Sequence, residues 1–228
     1  MLTECINEDK RKYSGPMLQI ALDMIDLNKA KAILHEVVDY IDIVELGTPF
    51  IIRYGIKVVE EIKSIFPCLL LLADLKIADA GEYESQMAFK SGADIVTVLA
   101  AAEDSTIRAA IKQAVKSKKS VMIDMIGIND IEKRTLEIDK MGVNYICAHL
   151  GFDEQNKGKN PLIDLIKVKN NTQNAKIAVA GGINLLNLNN ILDGNPDIVI
   201  IGNGIISEVD RKGTVIKIKK IINQQRGV

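Results

Sequence analysis

Tryptophan is absent, and the 228 residues hold only four phenylalanines, five tyrosines, two histidines and three cysteines. The cysteines, Cys5, Cys68 and Cys147, are odd in number and widely spaced. That excludes both the close pairs of a structural zinc site and the even framework of a small disulfide-stapled domain. They read as three reduced thiols of a cytoplasmic protein. No apolar run reaches the roughly 20 residues of a membrane helix. The opening stretch "MLTECINEDKRKYSGP" lacks the apolar core of a signal peptide. With a formal net charge of −1, there is no basic surface to attract nucleic acid. Small anions remain possible partners, because local fields decide their binding. Low-complexity segments are missing too.

What is present suits one large globular core: 47% apolar and 26% charged residues. Four stretches resemble one another, "DYIDIVELG", "SGADIVTVL", "MGVNYICAH" and "GNPDIVIIG". In each, Asp or Asn leads a short β-branched or apolar run. The leading residues Asp42, Asp94, Asn144 and Asp197 recur at roughly 50-residue spacing, as a structural repeat does. Between them stand "CLLLLADLK", "KSVMIDMI" and "AKIAVAGG", and "MLQIALD" opens the series, which makes eight strands. The intervening segments have helical period. "IRYGIKVVEEIKSIF" sets Ile52, Ile56, Val59, Ile62 and Phe66 on one stripe. "DSTIRAAIKQAVKS", "DIEKRTLEIDKMG" and "NPLIDLIKVKN" read likewise, with Gly92 and Gly142 where helices stop. Eight alternations of strand and helix specify a parallel sheet, and in this length a single (β/α)8 barrel. No linker is visible. Residues 17–228 form the barrel, with residues 1–16 as an appendage.

Active sites of such barrels lie at the C-terminal ends of the strands. Those ends carry Asp23, Glu45, Asp74 with Lys76, Asp124, His149, Gly181-Gly182 and Gly202. Because side chains alternate along a strand, Leu70, Leu72, Asp74 and Lys76 share one face of "LLLADLKI". Leu71, Ala73, Leu75 and Ile77 share the other, which is apolar and faces the helices. The same parity groups Gln19, Ala21 and Asp23, Ile43 with Glu45, and Met122 with Asp124. Tyr145, Cys147 and His149 also share a face. A layer of structural ion pairs is the alternative, but desolvating this many charges costs several kcal/mol per ion. Glu45 and Asp74 sharing one mouth call for a cation, and their hard oxygens suit Mg²⁺. His149 sits at a catalytic address, whereas His35, inside helical "KAILHEVV", belongs to the surface. Asp79 has two readings: a site residue, or the N-cap of the next helix with Glu82 three residues on.

Glycines after the last two strands, Gly181-Gly182 and "GNG" (Gly202, Asn203, Gly204), let backbone N–H groups approach an anion, and these loops commonly bind phosphate in this fold. The ensemble reads as a site where a metal and a lysine stabilise an enediolate on a phosphorylated substrate.

These residues also carry a family resemblance. "DLKIADAG" resembles the Asp-x-Lys-x-x-Asp signature of the orotidine monophosphate decarboxylase superfamily. Together with "QIALD", "VELGTP", "GADIVTVL", "VMIDMI", "NYICAH" and "AVAGGI" it is similar to the 3-hexulose-6-phosphate synthases, from about Met17 to the C-terminus. Glu45, where metal-free members carry lysine, points to the metal-dependent branch. That branch also holds the 3-keto-L-gulonate-6-phosphate decarboxylases. Those usually carry Glu at the position of Asp124, arginine at that of Phe152, and an arginine in the last phosphate loop that "GNG" lacks. Leu150 and Phe152 depart from the synthase pattern, which has Thr after the histidine and tyrosine at Phe152.

The resemblance implies a synthase joining formaldehyde to D-ribulose 5-phosphate, or running in reverse. Asp23 binds substrate hydroxyls, Glu45 and Asp74 bind Mg²⁺ (or Mn²⁺ in its place), and His149 removes the C1 proton. Lys76, Asp79 and Asp124 stabilise the enediolate and order the site. Gly181, Gly182, Gly202, Asn203 and Gly204 hold the phosphate. It also implies a homodimer with shared sites, Asp79 serving the neighbouring subunit's Lys76. Two rivals stand beside it: the sister decarboxylase, and a non-catalytic phosphosugar-binding protein. An epimerase, which needs several strand-end histidines, fits poorly with two.

Overall fold

The computed structural model describes residues 15–155 and 159–224. The appendage expected at residues 1–16 lies outside them, save its last two residues. The eight expected strands all form: β1 Met17–Leu22, β2 Ile43–Leu46, β3 Leu70–Ile77, β4 Ile95–Leu99, β5 Ser120–Asp124, β6 Tyr145–His149, β7 Lys176–Ala180 and β8 Ile198–Ile201. Each pairs in parallel with its neighbours, and β8 closes on β1 to give a complete barrel. Closure leaves no exposed sheet edge. The helices are α1 Leu27–Val37, α2 Thr48–Tyr54, α3 Lys57–Ile65, α4 Gly81–Lys90, α5 Asp104–Ser117, α6 Ile131–Asp139, α7 Phe152–Gln155, α8 Pro161–Asn170, α9 Leu188–Asp193, α10 Asn203–Ile206 and α11 Arg211–Gln224. None of the helices among the described residues is long and apolar enough to cross a membrane.

Strand alternation sorts the core into two shells. Leu71, Ala73, Ile77, Val96, Val98, Ile123 and Ile146 pack outward against the helices. Ile43, Leu72, Ile95, Met122, Cys147, Ala178, Ile198 and Ile200 fill the barrel interior. The two shells meet only through the strands, so what reaches the mouth is set by strand parity.

The four repeat-leading residues prove equivalent in structure. Asp42 accepts the Leu18 N–H (2.8 Å), Asp94 that of Leu71 (2.9 Å), Asn144 that of Val121 (3.0 Å) and Asp197 that of Ile177 (2.8 Å). Each even strand is thus clamped to the preceding odd strand at the N-terminal end of the barrel. Asp94 also binds Lys63 (2.7 Å) and Lys119 (2.6 Å), and Asp42 binds Lys219 (2.7 Å). Burial pushes the Asp94 carboxyl up, but the bonds from Lys119, Lys63 and the Leu71 N–H together hold it below its ordinary value.

Three sequence expectations need correction. "IRYGIKVVEEIKSIF" is not one helix. Gly55, at φ +72°, ends α2, and α3 starts afresh at Lys57. Ile52 is consequently 78% exposed while Val59, Ile62 and Phe66 are buried. The N-cap of α4 is Ala80 in left-handed geometry, not Asp79. Cys68 is disulfide-bonded rather than reduced; Cys147 is free and buried. Gly92 and Gly142, at φ +102° and +82°, do follow helix ends as expected.

Replacing Asp94 by alanine is expected to lower the unfolding free energy by about 2 kcal/mol, the scale of the charge-assisted bonds lost. Asp94→Asn should cost less, because its amide oxygen still accepts the Leu71 N–H. The folded carboxyl has the lower pKa, so its contribution is complete above the unfolded value and is lost as pH falls through the folded one. Urea denaturation at neutral pH and in acid tests both statements: the gap between wild type and Asp94→Asn should close in acid.

Candidate active site

At the C-terminal end of the barrel lies a cavity of about 420 Å³. Asp23, Glu45, Asp74, Lys76, Asp124, His149, Gly181, Gly182, Gly202, Asn203 and Gly204 all line it. Eleven of the twelve residues singled out from sequence therefore meet in one place. The twelfth, Asp79, does not line this cavity. It is exposed, accepts the Ala80 N–H at 2.7 Å, and borders a separate depression with Tyr83 and Thr106.

A distortion of β3 shapes the centre. Ala73 pairs with Val96 and Ile77 with Val98, so the three residues Asp74, Leu75 and Lys76 face the single Thr97. Lys76 takes φ +48° to accommodate the excess. This is a bulge, the usual means of re-aiming a side chain beside an active site. Thr97 braces it, accepting the Lys76 N–H (2.8 Å) and donating its hydroxyl to Asp74 Oδ1 (2.7 Å). From the start of α2, the Thr48 hydroxyl reaches Asp74 Oδ2 at 2.8 Å.

The Lys76 ammonium sits between two carboxylates, 3.0 Å from both Asp74 oxygens and 2.7 Å from Asp124 Oδ2. Burial works against its charge, but Asp74 and Asp124 outweigh burial and raise its pKa above the ordinary lysine value. Asp124 is raised by burial too, yet bonds and charge from His149 and Lys76 bring it down to about 2. It is therefore ionised and can only accept. His149 Nδ1 lies 3.0 and 2.9 Å from its two oxygens. Nδ1 must then carry the proton, which leaves the lone pair of the neutral ring on Nε2. A carboxylate that fixes a tautomer in this way prepares a general base.

The opposite wall is rich in negative charge. Burial, Asp74 and Asp23 push the Glu45 carboxyl well above its ordinary value. Burial and Asp74 raise Asp23 as well. One lysine does not neutralise this group. Oxygen donors alone, crowded enough to resist ionisation, fit a hard divalent cation. Among the described residues no three His, Cys, Asp or Glu form a ready-made metal cage. Two carboxylates with the other positions open to substrate and water match how Mg²⁺ is usually held. Below them Cys147 is inert, its thiol pushed far up by burial and by Asp124 and Glu45.

Two glycines are required by the geometry. A Cβ on Gly47 would lie 1.9 Å from Asp23 Oδ1, so any side chain there displaces that carboxylate. Gly181 has φ +110°, and its Cβ would meet the Leu150 carbonyl at 2.3 Å. The short α10 starts at Asn203 directly after Gly202. Loops after the seventh and eighth strands with a short extra helix form the common phosphate site of this fold.

Sequence reading gave no role to Thr48, Thr97 or Gln19. Thr97 shares inward parity with Ile95, as Glu45 does with Ile43, so the same alternation marks it. Thr48 follows a strand end, where parity has no force. Gln19 stood on the inward face with Asp23 but carried no charge to draw attention.

Residues 16–218 match the family model for "Orotidine 5'-phosphate decarboxylase / HUMPS family". The 3-hexulose-6-phosphate synthase of Bacillus subtilis is 49% identical over 207 residues, covering 91% of this chain and 99% of that protein. Among solved structures, the 3-hexulose-6-phosphate synthase of Salmonella typhimurium superposes with a TM-score of 0.89 at 39% identity, covering 91% of this chain and 99% of the other. The 3-keto-L-gulonate-6-phosphate decarboxylase of Vibrio cholerae superposes at 0.82 with 26% identity, covering 92% and 99%. The motifs at the mouth of the barrel, the closed fold and these similarities agree: the chain belongs to the orotidine 5'-phosphate decarboxylase / HUMPS family.

Proposed function

We propose that this chain is a 3-hexulose-6-phosphate synthase, joining formaldehyde to D-ribulose 5-phosphate through an enediolate. The observation that carries the proposal is the Asp124 carboxylate, which holds the Lys76 ammonium and the His149 ring at once. A base and a fixed positive charge are thereby set in one cavity, as proton removal beside a carbonyl requires. The cavity volume suits a five-carbon sugar phosphate. Similarity to the Bacillus subtilis synthase exceeds that to the Vibrio cholerae decarboxylase, 49% against 26% identity.

In this reading the phosphate lies against Gly181, Gly182, Gly202, Asn203 and Gly204, and Asp23 accepts from sugar hydroxyls. His149 Nε2 takes a proton from C1. The resulting negative charge develops near Lys76, whose own charge is held by Asp74 and Asp124. Glu45 and Asp74 would hold Mg²⁺, which when bound polarises the substrate oxygens. C1 then attacks formaldehyde, and the alkoxide so formed recovers the proton from the His149 imidazolium. Phe152 lines the mouth where decarboxylases of this branch carry arginine, which favours the aldol reading over its sister.

Asp79 enters through a second subunit. It is exposed and does not line its own cavity, and we infer a homodimer in which it approaches the partner subunit's Lys76.

Three outcomes test these readings. Ribulose 5-phosphate and formaldehyde with Mg²⁺ should be consumed together, faster than 3-keto-L-gulonate 6-phosphate is decarboxylated. EDTA should abolish turnover, and Mg²⁺ or Mn²⁺ should restore it. Preferred decarboxylation, or full activity after exhaustive chelation, would refute the respective part.

Wild type should exchange a C1 proton of ribulose 5-phosphate with deuterium oxide in the absence of formaldehyde. His149→Asn should slow this by on the order of 10²- to 10⁴-fold. Equal rates by NMR would assign the base elsewhere.

Lys76→Ala and Asp79→Asn should each be nearly inactive as pure dimers. A differently tagged mixed dimer should regain about half of wild-type activity, because one of its two sites is then intact. An inactive mixed dimer would mean that sites are not shared.

A further inference from the structure

Gln19 is 0% exposed, halfway along β1 and beneath the floor of the cavity. Its register partners on the flanking strands are Ile43 of β2 and Ile200 of β8, both members of the apolar inner shell. An amide in such surroundings is costly unless both its ends are bonded. Only one is. The side-chain N–H donates to Glu45 Oε2 at 2.6 Å, while Gln19 Oε1 has no hydrogen-bond partner among the described residues. The inner shell therefore carries a polar group that packing alone would replace by leucine or methionine. What the amide accomplishes is local: it occupies one oxygen of Glu45 and fixes the carboxylate against a wall already crowded by Asp23 and Asp74.

We propose that Gln19 is the positioning residue for Glu45, holding one carboxylate oxygen from below so that the other is presented to a divalent cation in the cavity. The inference rests on the reading that Glu45 helps to hold such a cation. Groups that bond to a metal-ligating side chain from outside typically govern affinity by 10- to 100-fold. Without its donor, Glu45 is free to turn, and the cation loses a fixed ligand. The interior gains at the same time, since the unpartnered Oε1 is removed. Function and stability are thus expected to move in opposite directions at this position.

Mn²⁺ titration followed by electron paramagnetic resonance, with and without ribulose 5-phosphate, provides a readout independent of turnover. Gln19→Met keeps the length and unbranched shape of the side chain and removes the donor. It should weaken Mn²⁺ binding by about 10- to 100-fold, with an unfolding midpoint equal to or above wild type. Gln19→Leu should behave alike and serves if the methionine variant does not fold. Ile198→Val, in the same shell but away from the cavity lining, should leave Mn²⁺ affinity unchanged. If Glu45→Gln loses Mn²⁺ while both Gln19 variants bind as wild type does, Gln19 is structural and this proposal alone fails. If wild type binds no Mn²⁺ in either condition, or Glu45→Gln binds it equally well, the underlying reading fails and takes the proposal with it.

Discussion

The arrangement at the mouth of the barrel depends on the ammonium of Lys76 lying between Asp74 and Asp124. Burying three charges is expensive, and mutual attraction repays that cost only if the remaining lone pairs and protons are also bonded. Here they are. Thr97 and Thr48 complete Asp74, and His149 with the Ile126 N–H completes Asp124. Removing the Lys76 ammonium leaves two buried carboxylates without their shared cation, and removing either carboxylate leaves the lysine with only one, so the three groups depend on one another. That rigidity has a chemical use. The same carboxylate that anchors the lysine dictates the tautomer of the histidine, so base and positive charge cannot drift apart.

The opposite end of the barrel solves a different problem. There Asp42, Asp94, Asn144 and Asp197 each take a backbone N–H from the preceding strand. These groups close the cylinder, and none faces the cavity. Polar side chains are thus used twice: at the N-terminal end to fix the register of strand pairs, and at the C-terminal end to line the cavity. Between them lies the inner shell, and the buried Gln19 is a point at which that packed interior reaches up to the site.

Much of this could be read from the residues, because barrels obey two strong regularities. β-branched runs mark the strands, and period-two alternation decides which side chains enter the barrel. Asp74, Asp124 and His149 were found that way. Where the regularities lapse, so did the reading. The three- and four-residue spacing of Ile52, Ile56 and Val59 survives across Gly55, so periodicity alone could not reveal the break between α2 and α3. Thr48 lies in a turn, outside strand alternation. Of the two readings of Asp79, site residue or helix N-cap, the second fails because the chain turns through left-handed Ala80 first and delays the helix by one residue. The disulfide at Cys68 is a question of distance, which spacing along the chain does not report.

The bulge in β3 carries a lesson about chain length. Two surplus residues, not one, are accommodated opposite Thr97, so the alternation before the bulge is in phase with the alternation after it. Asp74 and Lys76 both enter the cavity while Ala73 and Ile77 both remain under the helices. Deleting a single residue here would throw the segment out of phase, driving either the lysine or an isoleucine through the barrel wall. Deleting two would restore the phase but remove the surplus that sets Asp74 and Lys76 together opposite Thr97. A change of length by one residue in this segment is therefore opposed by arithmetic as much as by energy.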